Sequence, residues 1–415
     1  MIYDKSFVIT AFTPWGAFPS GSAERLAAEL SRTNRVLYVN PPASLAALLR
    51  GGDSADACRK NRVLRGSEPA IRRAGANLWI LEPPIVVPRG ARIYSDTVFD
   101  LLNRYNNRRY ADVIGWAMKH TGIDDFYLLI DNDTLRSFYL PELLAPDLAI
   151  YYRSRNLAAI PYWSYHAGRL EPRLVSACDM VAASSESLAE DVRGYNFNTF
   201  NIDQGVDLRG YDAGAYHHTP QDMLDIPHPI AGLAGILSTM YYDPDLIGSL
   251  AGALPGCSVV LVGGEDGDFS RHALHKRPNV FFLGAKSARE LPAYVAGFDV
   301  CINPEAINDY TRDTFRPFIV QSLAMGKNVV STRSQPAGRF VNHILLASDA
   351  AQFAAMTSRS LMARPAPEVR RSRADFARSF SWSACAERLC ASIEMVEEEL
   401  CGKECAMSTA PLFYS

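Results

Sequence analysis

The stretch from Phe298 to Thr332, FDVCINPEAINDYTRDTFRPFIVQSLAMGKNVVST, constrains this chain more than any other. Val300-Cys301-Ile302 is a short apolar run suited to a buried strand. A polar loop follows from Asn303 to Arg316, then an apolar-periodic helix from Pro317 to Met325. Proline suits a helix start because the N–H it lacks would have no partner there. Gly326 stops the helix, and Val329-Val330-Ser331 is the next strand. Strand, loop, helix, strand is a βαβ unit, and such sheets bind ligands outside the carboxyl ends of their strands. The long loop lies at such an end, beside a helix N-terminus that attracts phosphate.

The same alternation runs through the rest of the chain. At 415 residues there is room for two domains or more, by the usual ~100–200 residues each. The 48% hydrophobic and 21% charged content is that of a globular protein. A formal charge of −3 exerts no global pull on nucleic acid or anionic lipid, so no nucleic-acid partner is expected. No apolar run approaches the ~20 residues of a membrane helix. MIYDKSFVITAFT lacks the basic and apolar regions of a signal peptide. Eight scattered cysteines form no C-x-x-C pair, so neither a zinc site nor a redox motif is expected. A reducing cytoplasm is the expected location.

In the first half, Phe7 to Phe12 is a strand and Thr13 to Gly21 a loop rich in Gly, Pro and Ser. Ala23 to Leu30 is a helix, and Arg35 to Val39 a strand. The glycine spacing is not that of a dinucleotide fingerprint. Residues 50 to 73 show little periodicity. Arg50, Arg59, Lys60, Arg62, Arg65, Arg72 and Arg73 outnumber Asp53, Asp56 and Glu68 there. This basic lobe suits anionic lipid heads at the inner face of a membrane, a pyrophosphate-bearing acceptor, or solvent alone. Leu78 to Leu81, Phe126 to Ile130, Leu148 to Tyr152, Asp179 to Ala183 and Thr199 to Ile202 are strands. Thr97 to Lys119 is a long helix with Arg104, Arg108 and Arg109 on its polar face. Asp131-Asn132-Asp133 is expected to cap the next helix, with a role in binding acceptor hydroxyls as the alternative. Arg153 and Arg155, after a strand end, suit an anionic acceptor. Tyr162, Trp163, Tyr165 and His166 form an aromatic cluster, with His166 a candidate base or hydroxyl ligand beside the alternative of ordinary core.

Residues 208 to 228 have the composition of a linker. Strands then follow at Ile230 to Ile236, Ser258 to Val262 and Asn279 to Leu283, with helices at Asp243 to Ala253 and Ala288 to Ala296. The strands end in Gly263-Gly264 and Gly284, where backbone turns sharply or approaches a neighbour closely. Ile344 to Ala347 is the last strand, and Ser381 to about Leu400 an amphipathic helix before an irregular tail.

In order, the second half reads G-x-L, V-G-G, F-L-G-A-K with E-L-P-A-Y downstream, then D-V-x-x-x-P. It continues through Leu323-Ala324, Gly326-Lys327 and Val329-Val330 to Ser331-Thr332. This set resembles the donor half of GT-B glycosyltransferases, especially family-four-like enzymes of bacterial polysaccharide or teichuronic-acid-type assembly. Asp203-Gln204-Gly205-Val206-Asp207 resembles their P-N-G-V-D exit from the first domain.

The resemblance implies an α/β fold of two Rossmann-like doubly wound domains facing a cleft, with a C-terminal helix crossing back to the first. Its boundaries are 1–207 for an acceptor-side domain, 208–228 for the linker, 229–380 for the donor domain, 381–401 for the cross-over helix and 402–415 for the tail. It implies a transferase with no cofactor beyond its co-substrate, a UDP- or GDP-type nucleotide-diphosphate sugar. The partner is a hydroxyl acceptor that is a glycan, lipid-linked or small. Retention of configuration and independence from metal follow from the same likeness.

By resemblance, the donor would meet Gly235, Ser238, Gly263, Gly284, Lys286, Thr311, Arg312, Arg316 and Gln321, and Gly16, Ser20 and Gly21 would face the cleft. The catalytic set is His166, Arg312 and Asp313. The family's glutamate falls on Gln321, its lysine on Phe318 or Ile319, and its upstream acidic residue on Asp313. With no Lys or Arg in Leu237-Ser238-Thr239-Met240, Arg312 and Arg316 are the candidates to neutralise a diphosphate. A nucleotide-sugar epimerase and a retired transferase that only binds are the alternatives.

Overall fold

The computed structural model describes residues 2–17, 21–45, 55–88, 90, 93–157, 164–212, 214, 219–308, 311 and 315–408, with side chains to 401. The chain divides into two compact units: Met1–Gly205 with Trp382–Ser415, and Val206–Ser381.

The strands of the first unit are β1 (Ser6–Thr10), β2 (Arg35–Val39), β3 (Ala43–Ser44), β4 (Ile71–Arg73), β5 (Leu78–Leu81), β6 (Val86–Val87), β7 (Tyr127–Asp131), β8 (Leu148–Arg153), β9 (Met180–Ala183) and β10 (Thr199–Asn201). Its helices are α1 (Ser22–Leu30), α2 (Ala55–Leu64), α3 (Asp96–Thr121), α4 (Leu140–Leu144), α5 (Ser164–Ala177) and α6 (Glu186–Arg193). One sheet runs β10-β9-β8-β7-β1-β2-β5-β4. It is parallel except where the edge strand β4 meets β5. Parallel sheets are covered on both faces, which is why β7 and β8 are buried throughout rather than alternating. Successive side chains serve opposite layers. Phe7 and Ile9 pack in one core layer with Leu26 of α1, and Val8 in the other with Tyr110 and Ile114 of α3.

Two sequence expectations fail here. Residues 55–73 contain α2 and β4, and two of their basic residues pair locally, Lys60 with Asp56 at 2.6 Å and Arg62 with Glu68 at 2.5 Å. Only Val63 of α2 is buried, so no apolar stripe marked that helix in the sequence. Arg50 and Asp53 lie outside the described residues. The trio at the end of β7 caps no α-helix. Asn132 turns left-handed, at φ 52°, a conformation asparagine tolerates. The next helix begins at Leu140.

The second unit has β11 (Ile230–Ala234), β12 (Ser258–Val262), β13 (Val280–Phe282), β14 (Val300–Asn303), β15 (Val329–Thr332) and β16 (Leu345–Ala347). Its helices are α7 (Pro244–Ala253), α8 (Leu291–Gly297), α9 (Pro317–Ala324), α10 (Gln335–Gly338), α11 (Ala350–Met362) and α12 (Pro367–Arg378). The sheet runs β13-β12-β11-β14-β15-β16, all parallel. Asp243 caps α7 through the Asp245 and Leu246 N–H groups, with proline at the first position. Tyr211, Met223 and Ile226, before β11, are buried in this unit's core.

The last helix, α13 (Trp382–Ser408), belongs to the first unit. Cys385, Leu389, Ile393 and Val396 are buried in its core. The helix runs past residue 402, where the sequence suggested an irregular tail, and 409–415 lie outside the described residues. Gly205 lies so close to the Trp382 ring that a Cβ there would sit 2.2 Å from it, which is why glycine holds that position of the exit signature.

Both sheets reverse strand order once. In the first unit the reversal falls between β1 and β7, in the second between β11 and β14. The carboxyl ends at such switch points are where open α/β sheets bind ligands.

Candidate active site

At the switch point of the second unit, β14 ends in Asn303, whose amide donates to Ser331 Oγ at 2.8 Å. Pro304 and Glu305 follow. Glu305 is 1% exposed. Its Oε2 accepts from the Ser334 hydroxyl at 2.5 Å, and Ser334 in turn caps α10. Its Oε1 lies 2.9 Å from Arg316 Nε, a charge contact out of line for a hydrogen bond. Burial pushes the Glu305 carboxyl up, opposed by Arg316 and then Ser334. Arg316 lies over the Tyr241 ring at 5.3 Å, and its Nη2 is buried without a partner. It immediately precedes α9, whose N-terminus has no side-chain cap.

The loops after β11 and β14 are tied together. Ala306 N–H donates to Tyr241 O at 3.0 Å, and the Asn308 amide to Met240 O at 3.0 Å. Thr311, buried, knits the second loop by donating to Ala306 O at 2.6 Å. Arg312 and Asp313 lie outside the described residues. Gln321 is half-buried one turn into α9.

The glycines have separate reasons. A Cβ on Gly263 would sit 1.7 Å from Gly235 O, so those two backbones require each other. Gly284 adopts φ 68° with open space around it. The donors of the first loop are used internally, since the Asp266 carboxylate accepts from Thr239 N–H at 3.1 Å and Ser238 Oγ accepts from Met240 N–H at 3.2 Å. The Ser238 hydroxyl and then backbone N–H groups hold Asp266 below its usual range. Lys286 binds Asp222 at 2.7 Å, and Tyr294 shares that carboxylate at 2.9 Å. Lys327, from the matched G-K pair, donates to Ala296 O and Phe298 O at 2.6 Å and so staples the end of α8.

At the switch point of the first unit, Phe12 N–H donates to Asp131 Oδ2 at 3.2 Å. Asp131 is 3% exposed, and burial pushes its carboxyl up to about 6. Arg155 and Arg136 flank the Phe12 ring at 5.4 and 5.6 Å. Asn132 Oδ1 accepts from the Ser154 and Arg155 N–H groups, while its Nδ2 is buried without a partner. Arg153 does not face a ligand. It is buried against Glu171 at 3.1 Å and Asp191 at 2.9 Å, a correction to its sequence reading. Gly16 adopts φ 78° and donates to Glu24. Ser20, Tyr162 and Trp163 lie outside the described residues, and Gly21 packs against Thr13.

His166 is away from this edge. It is 1% exposed, stacked on Phe99 at 3.6 Å, with Nε2 bonded to Ile93 O. Burial lowers its pKa, so it is a neutral core ring rather than an exposed base. Sequence reasoning missed Glu305 and Asp266 and ranked Asp131 first as a cap. The available signal was position, a carboxylate within four residues of a strand's carboxyl end beside a switch point.

Residues 247–362 match the family model described as Glycosyl transferases group 1. Over most of its length the chain is similar to Anabaena HepE, solved in complex with UDP and glucose. Identity is 15%, with 94% of this chain and 100% of that one covered at a TM-score of 0.58. The α,α-trehalose 6-phosphate synthase of Burkholderia multivorans is 15% identical, covering 96% and 100% at 0.61. The N-terminal domain of Candida albicans trehalose-6-phosphate phosphatase is 9% identical, covering 95% and 97% at 0.64. The fold is GT-B. In this GT-B chain the matched segment spans β12 to β16, α11 and the loop bearing Glu305 and Arg316, and fold and segment agree on a glycosyltransferase. A sequence search of curated proteins finds no match. Among the described residues, no helix is long and apolar enough to cross a membrane.

Proposed function

We propose that this protein transfers a sugar from a nucleoside-diphosphate sugar, UDP- or GDP-type, to a hydroxyl acceptor. The reaction retains anomeric configuration without a metal and serves polysaccharide, glycoconjugate or natural-product assembly. The observation that carries the reading is the uncapped start of α9 with the buried, unpartnered Arg316 Nη2 beside it, inside the matched segment. A diphosphate seated there meets the positive end of the helix dipole and a guanidinium. Arg312 shares that charge, and Gln321 binds the ribose. Stabilising the leaving diphosphate is the dominant electrostatic task of the reaction. The acceptor belongs to the first unit, where Asp131 and Arg155 border the switch point. HepE's solved complexes with UDP and with UDP-glucose support the donor class.

A second reading is favoured by one feature. Glu305 already neutralises Arg316 and Asp266 occupies the Thr239 N–H, as in a protein that binds without turnover. Melting the full chain with a panel of nucleotides and nucleotide sugars tests both. Stabilisation by UDP or GDP, with nucleotide release that requires an acceptor, supports transfer. Stabilisation without any release supports binding alone, and no response to any nucleotide removes both.

A further inference from the structure

The helix α3 is apolar on two sides. Its inward stripe packs Tyr110 and Ile114 on the sheet and Phe99 against Leu135 and Leu170. Its first half carries a second stripe facing away. Val98, Leu101 and Tyr105 are 53%, 70% and 57% exposed at the i, i+3, i+7 spacing of one helix face. Tyr94, 72% exposed, continues it one turn earlier and meets the exposed Tyr165 edge to face at 5.6 Å. Single exposed apolar side chains need no explanation, but contiguous ones mark an interaction surface.

Charge limits what covers this surface. Along this helix Asp96 and Asp100 are held by Arg169, at 3.3 Å and at 2.7 and 3.0 Å, and the next acidic residue, Asp112, lies two turns beyond Tyr105. Arg104, Arg108 and Arg109 flank the stripe. Arg104 is paired with Glu142 and Arg109 Nη1 donates to Val86 O at 2.9 Å, whereas the exposed Arg108 has no carboxylate partner among the described residues. Arg109 lies over the Tyr105 ring at 5.8 Å. A second copy docked symmetrically would set these arginines against themselves.

We infer that this face seats the protein on an anionic phospholipid surface. Val98 and Leu101 enter the headgroup boundary, Tyr94, Tyr105 and Tyr165 lie at the interface, and the arginines meet lipid phosphates. The surface is distinct from the basic segment 55–73, which lies on other elements, α2 and β4. It does not depend on what the second unit binds.

The test is co-sedimentation of the full chain with phosphatidylcholine vesicles, with and without phosphatidylglycerol. The wild type is expected to sediment with the anionic vesicles. Leu101→Asp should lower its partition coefficient about tenfold. Arg108→Glu should lower it about fivefold or more, on the anionic vesicles alone. Both side chains are exposed, so the melting temperature should be unchanged. Wild-type protein that stays in the supernatant with both vesicle types overturns the inference. So does a Leu101→Asp variant that partitions as the wild type does, or a dimer in solution that Leu101→Asp dissolves.

Discussion

At the scale of single residues, Asp131 carries the clearest conflict between stability and use. Its carboxyl is buried at the end of β7, and desolvation outweighs the Phe12 N–H, Arg155 and Ser154 contacts that favour its charge. Asp133 disfavours that charge further, and the hydroxyls of Tyr38 and Tyr152 are pushed up by burial and then by Asp131. A carboxyl moved from 3.8 to about 6 means that ionised Asp131 costs on the order of 3 kcal/mol. The sign follows from proton uptake. Between about pH 4 and pH 6 the folded state holds a proton the unfolded chain has lost, so stability falls as pH rises through this window. Asp131→Asn keeps the acceptor oxygen for Phe12 and removes the charge. The variant is expected to be more stable than the wild type at pH 8, to converge with it below about pH 4, and to lose acceptor-dependent turnover. Urea denaturation across that range reads the first two effects. A variant no more stable at pH 8 would remove the claim that the buried charge is costly.

At the scale of elements, Glu305 joins the loop after β14, the start of α9 and the cap of α10 through Arg316 and Ser334. Removing one partner of a buried pair strands the other charge, at about 3–5 kcal/mol. Arg316→Ala is therefore expected to destabilise the second unit by about that amount, and the double variant Arg316→Ala with Glu305→Gln to recover much of it. A double-mutant cycle in urea measures the coupling. Full stability in Arg316→Ala would show instead that the guanidinium serves only a ligand. The neighbouring glycines illustrate another element-scale effect. Gly232 lies under the Phe298 ring and Gly263 against Gly235 O, so these positions reflect packing of the β11, β12 and β14 ends on one another.

At the scale of the whole molecule, the chain leaves its first unit at Gly205 and re-enters it at Trp382. The returning helix α13 is bonded there by Arg388 to Ile202 O at 3.0 Å and by Glu397 to the Tyr127 hydroxyl at 2.6 Å. Its buried Leu389, Ile393 and Val396 contribute roughly 1.5–3 kcal/mol each. A typical folding margin is only about 5–15 kcal/mol. Truncation after Ser381 is expected to unfold the first unit and spare the second, which is continuous in sequence. Calorimetry should show one transition for the truncated chain, and the fragment 206–381 should keep its far-UV signal. Two transitions surviving truncation would contradict this account of the first unit's core.

The alternation of apolar runs with helical periodicity was enough, read from the sequence, to specify parallel α/β sheets. Strands buried on both faces must be apolar throughout, and glycine and proline punctuate their ends, so local composition carries that information. The motif run from Gly235 to Thr332 likewise pointed to the second unit's fold. What the sequence could not supply was the disposition of charge. Arg153 and Arg155 are near neighbours, yet one is buried against Glu171 and the other stands over Phe12. His166 and Asp131 exchanged their expected importance because one ring stacks inside the core and one carboxylate ends a strand at the reversal of sheet order. Burial and pairing depend on residues far apart in the chain, so only tertiary structure decides which charges are spent on the fold and which remain for a ligand.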